Sequence, residues 1–108
     1  MALAADWIPG DVHVVREPRE SSTYRGRTVI LGDDTLQDTC GVVCRASTIV
    51  HEIDHIQTGL GCSYASEDSA FRAEITFRQA IGEPTGKVQA KLGRWGPGAP
   101  GYVCGTWS

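Results

Sequence analysis

A chain of 108 residues with 41% hydrophobic and 21% charged residues suits one domain, spanning 1–108, with one modest core, and excludes an intrinsically disordered chain. The formal net charge of −3, with no basic run and no aromatic residues interleaved with cations, excludes the electrostatic footprint of a nucleic-acid-binding protein. No apolar stretch approaches the roughly 20 residues needed to cross a bilayer, so no membrane span is expected. A monomer is the expected state.

The opening MALAADW has small residues of the kind that end a signal peptide, without the charged start or apolar stretch of one. Asp11 to Val15 alternates weakly and predicts a strand, and Glu17 to Ser22 predicts a polar turn. Thr28-Val29-Ile30-Leu31 is a stronger, β-branched strand stopped by Gly32-Asp33-Asp34.

The middle of the chain changes period. Val42, Ala46, Ile49, Ile53, Ile56 and Leu60 follow one another at steps of four, three, four, three and four, which predicts one long helix with a continuous apolar stripe. Gly59 and Gly61 end it. A second helix is predicted from near Ser66, with Glu67 and Asp68 in the first turn where the helix dipole favours them. Ala70, Ala73, Phe77 and Ile81 form its buried face, and Gly82 and Pro84 stop it. A short helical turn is predicted at Lys87 to Leu92. The Gly- and Pro-rich end from Gly93 reads as an irregular tail.

Four cysteines in so short a chain favour disulfides and an exported, oxidising location. An intact helix between Cys44 and Cys62 separates them by more than about 20 Å, whereas a disulfide needs Cα atoms within roughly 7 Å. Cys62–Cys104 and Cys40–Cys44 are therefore the expected pairs, the first stapling the tail. A metal site on Cys40 and Cys44 lacks the second cysteine pair such sites use.

Two of the three histidines lie in His51-Glu52-Ile53-Asp54-His55. On a helical wheel of about 100° per residue, His55 falls about 40° from His51 and Glu52 about 100°, while the apolar stripe centres on the opposite side. One face packs on the sheet; the other presents two imidazoles and a carboxylate. Histidines one turn apart can share a Zn²⁺ at about 2.0–2.1 Å. The intervening glutamate is placed to take a proton from a metal-activated water.

His51-Glu52-Ile53-Asp54-His55 resembles the H-E-x-x-H motif of the zincin metallopeptidases. Over roughly residues 28 to 80 the pattern is similar to the very small single-domain gluzincins. The resemblance implies an α+β, minimal zincin-like fold: a small N-terminal sheet, an active-site helix, a second helix bearing the third ligand, and a stapled tail. It implies zinc-dependent hydrolysis of a peptide or protein substrate, with His51 and His55 as ligands, Glu52 as general base, and an edge strand at Thr28 to Leu31 bordering a shallow cleft. Asp54 and Gln57 depart from the family pattern. Asp54 is placed either to orient the His51 ring or to pair with a surface cation.

The third ligand is sought among carboxylates, since His13 sits in the first strand and no histidine follows in the metzincin pattern. In an antiparallel helix hairpin Glu67 comes opposite His55. Glu67-Asp68-Ser69-Ala70 is also similar to the Glu-x-x-Ala of several gluzincins. Glu74 is the alternative, eighteen residues on from His55 as in another gluzincin group, and an i,i+4 partner for Arg78 otherwise. Tyr64, Arg72 and Tyr102 are candidates, by residue type, for an oxyanion donor. The competing reading is a disulfide-stapled secreted binding module with a structural metal or none.

Overall fold

A computed structural model of the chain describes residues 7–16, 23–32, 41–59 and 64–94. Among the described residues three strands, β1 (His13–Arg16), β2 (Thr23–Arg25) and β3 (Thr28–Leu31), precede three helices, α1 (Gly41–Thr58), α2 (Tyr64–Ala80) and α3 (Gly86–Arg94). The fold is small and α+β. Among the described residues no helix is long and apolar enough to cross a membrane.

Strand order is β1-β3-β2. β1 runs parallel to β3, with Val14 opposite Val29, and β2 runs antiparallel to it, with Tyr24 opposite Val29. A two-residue loop, Gly26-Arg27, joins β2 to β3. Gly26 has φ +54° and Arg27 an ordinary negative φ, as a tight hairpin turn with glycine at its first central position requires. β2 falls beyond the expected turn at 17–22, and three residues are too few for alternation to reveal a strand.

The expected edge strand at Thr28 to Leu31 is a correction. β3 is the centre of the sheet, paired on both sides. Val29, Ile30 and Leu31 are buried in succession, as a strand covered on both faces demands.

α1 lies between the sheet and α2. Ile49 and Ile53 pack on Val12, Val29 and Leu31, with Ile56 at the margin. A second stripe, Ala46 and Val50, packs on Phe77 of α2, with Trp7, Ala73 and Ile81 alongside. Trp7 meets Phe77 edge-to-face at 5.3 Å between ring centroids. Val42, expected in the apolar stripe, is 50% exposed, because it sits in the first turn, beyond the sheet. Leu60, Cys40, Cys62 and Cys104 lie outside the described residues, as does the tail beyond Arg94; Gly93 and Arg94, expected in the irregular tail, belong to α3. Cys44 is disulfide-bonded, to a partner outside the described residues, so it is not a thiolate ligand.

Both helix ends that frame the site are set by glycine. Gly59, φ +61°, closes α1 with its N–H donating to the His55 carbonyl at 3.2 Å. Gly82, φ +76°, closes α2. There the Gly82 N–H donates to Gln79 O and the Glu83 N–H to Arg78 O, the paired bonds of a Schellman motif, followed by Pro84. A Cβ at Gly82 would meet nothing within 4 Å, so Gly82→Ala costs only the left-handed backbone, about 1–2 kcal/mol. Urea unfolding should show that loss with an unchanged m-value; wild-type stability would mean that α2 does not end this way.

Candidate metal centre

His51 and His55 are one turn apart on α1, and Glu67 and Glu74 two turns apart on α2. The two helices pack directly on each other and bring all four together in the interior. His51 is 6% exposed, Glu52 1%, His55 1% and Glu67 7%. This corrects the expectation of a face turned to an open, shallow cleft: that face of α1 is covered by α2.

Three donor atoms converge. Nε2 of His51 and Nε2 of His55 are 3.2 Å apart. Glu67 Oε1 lies 3.2 Å from the first and 2.6 Å from the second. Donors on a tetrahedral zinc with arms of about 2.05 Å lie about 3.3 Å from one another, so two sides of this triangle already have that length. One cation placed among the three would face all three donors at once, so this buried His51–His55–Glu67 group can hold a metal ion.

The remaining ring nitrogens are held from behind. His51 Nδ1 lies 2.7 Å from Glu74 Oε2, and His55 Nδ1 lies 2.6 Å from Ser66 Oγ. Each histidine therefore has one nitrogen engaged and the other directed to the shared centre, as metal-binding histidines require. Phe71 packs on the His51 ring at 4.7 Å and supplies an apolar wall.

The charges are coupled. Burial acts to lower the His51 pKa, but hydrogen bonds to Glu67 and Glu74 outweigh it and raise it to about 10. Burial acts to raise the Glu67 pKa, but His51 and His55 outweigh it and lower it to about 2. Burial pushes the Glu52 carboxyl well above its usual range, with His51 opposing and the other two glutamates reinforcing.

The signs define a pH window for the metal-free chain. The raised His51 pKa contributes stability that is full below 6.5 and lost as pH rises through about 10. The lowered Glu67 pKa contributes stability that is full above 4.5 and lost as pH falls through about 2. Buried Glu52 costs stability once pH passes 4.5, which moves the optimum toward the acidic side. In chelator, the melting temperature should therefore peak between pH 4.5 and 6.5; a melting temperature still rising at pH 8 contradicts this.

Glu52 Oε2 is buried with no hydrogen-bond partner. An unpaired buried carboxylate oxygen beside a cation site is where a water belongs. Asp54 Oδ2 is also without a partner, and the His51 ring is oriented by Glu74, not by Asp54. Glu74 is not paired with Arg78 across one turn. Ser47 stands between them, donating to Glu74 Oε1 at 2.7 Å and accepting from Arg78 Nε at 3.1 Å. His13 is exposed on β1, away from the cluster. Arg72 is exposed and bonded to Asp68 at 2.9 Å, while the Tyr64 side chain and Tyr102 lie outside the description.

Sequence reasoning missed Ser47, Ser66 and Phe71. Ser47 carried the clearest signal: it lies one turn before His51, on the same helix face. No family model, curated protein or solved structure matches the chain.

Proposed function

We propose that the chain is a zinc-dependent peptide-bond hydrolase with a minimal gluzincin-like site, acting on a peptide or protein. The observation that carries the reading is the convergence of His51 Nε2, His55 Nε2 and Glu67 Oε1. These three hold the ion, and Glu74 and Ser66 keep the two rings aimed. Zinc bound there supplies Lewis acidity, polarising a carbonyl and acidifying a water. Glu52 takes the proton of the attacking water and delivers it to the leaving amine. Its partnerless Oε2 supports that role. An exported location and the Cys62–Cys104 and Cys40–Cys44 pairs belong to the same proposal; of these, Cys44 being disulfide-bonded is consistent with the second pair alone.

Metal analysis of the purified chain should find one zinc, removed by chelator. Zinc at 100 times its Kd should stabilise the fold by about 2.7 kcal/mol. A chain free of metal whose melting temperature ignores both zinc and chelator would refute the site.

The burial of all three donors favours a second reading, in which the metal is structural and the chain is a binding module. Closed four-ligand sites mark structural zinc, whereas three protein ligands and an open position mark catalytic zinc. Among the described residues the donor set numbers three, which supports the catalytic reading.

A further inference from the structure

Behind His51 the hydrogen bonds continue to the far side of the helix pair, and each runs in one direction. A guanidinium has donors and no acceptor, so the Arg78 Nε–H donates to Ser47 Oγ at 3.1 Å. The single Ser47 proton is then available to Glu74 Oε1 at 2.7 Å. With Glu74 accepting at both oxygens, the proton on the 2.7 Å contact between Oε2 and His51 sits on Nδ1. Nε2 is the nitrogen left for the shared centre.

We propose that Ser47 and Arg78 are positioning residues of the metal site, forming with Glu74 a one-way hydrogen-bond chain that fixes the tautomer and orientation of His51. The inference rests on the zinc-site reading above. Ser47 is 1% exposed, and alanine would suit a buried helix interior better than a hydroxyl. Its donor and its acceptor capacity are both used. Removing the hydroxyl leaves Glu74 Oε1 and Arg78 Nε without this partner, so the carboxylate that accepts from His51 Nδ1 through Oε2 is no longer fixed in place from its other oxygen. Arg78 also donates to Pro84 O at 3.3 Å and approaches Cys44 Sγ at 3.7 Å, so its guanidinium is braced on three sides.

The test is zinc affinity at pH 7, by competition with a chromophoric chelator, for the wild-type chain and for Ser47→Ala, Ser47→Thr and Arg78→Gln. Thermal melts in chelator run in parallel. A mere brace between helices would lower the metal-free melting temperature and leave affinity alone. A positioning role weakens zinc binding by about 10–100-fold in Ser47→Ala and Arg78→Gln, with Ser47→Thr close to wild type because the hydroxyl is kept. Where Ser47→Ala fails to fold, the Arg78→Gln and Ser47→Thr affinities decide. Wild-type affinity in a folded Ser47→Ala or Arg78→Gln chain overturns the positioning role and leaves the zinc site standing. Absence of zinc uptake by the wild-type chain overturns the zinc site and this inference with it.

Discussion

Glu52→Gln should lose peptide-hydrolysing turnover by about 10²–10⁴-fold, the contribution of a positioned general base, while still taking up one zinc. The amide has nearly the shape of the carboxylate and cannot accept the water's proton. Glu52 is not one of the three converging donors, so the ion should be held as before. The variant also removes a carboxyl whose burial raises its pKa and whose ionisation therefore costs folding free energy at neutral pH. Its metal-free melting temperature should be no lower than that of the wild type. Turnover of a quenched peptide library, with zinc content measured on the same sample, separates the two readings. Unchanged hydrolysis would remove Glu52 from the chemistry. A wild-type chain that carries zinc and cleaves nothing would support the binding module.

Glu67→Ala should reduce zinc affinity by more than about 100-fold, beyond the about 10–100-fold typical of residues that only support a ligand. Glu74→Gln should stay within that smaller range. The difference follows from where each carboxylate sits: Glu67 Oε1 touches both Nε2 atoms, whereas Glu74 meets His51 at Nδ1, behind the shared centre. Isothermal titration with zinc measures both. A larger loss in Glu74→Gln than in Glu67→Ala would exchange the two roles.

Much of this arrangement was legible in the chain. The apolar steps from Ala46 to Ile56 are long and regular enough to define α1, and Gly59 and Gly82 mark helix ends through a backbone conformation that other residues adopt at a cost. Hairpin register placed Glu67 opposite His55, where the two side chains meet at 2.6 Å, and the Glu-x-x-Ala likeness pointed to the same residue. What stayed hidden depends on tertiary neighbours. The single stripe expected for α1 does not include Val50, because the helix carries two apolar seams, one for the sheet and one for Phe77. Ser66 marked only a helix start and Ser47 nothing, because their meaning comes from an imidazole and a carboxylate brought alongside by folding. The central place of β3 depends on β1 pairing with it across the intervening hairpin, a non-local choice that periodicity does not encode. The depth of the site was misjudged for the same reason. A wheel gives the direction of a side chain but not what stands opposite.

The seating of α1 between two layers has a kinetic corollary. For an ion held as proposed between α1 and α2, whose donors are all buried, the residence time should follow how often that helix pair opens as well as the strength of three coordinate bonds. Exchange of a radioactive zinc isotope would then accelerate in step with conditions that loosen the helix pair, such as mild urea, at concentrations well below those that unfold the chain.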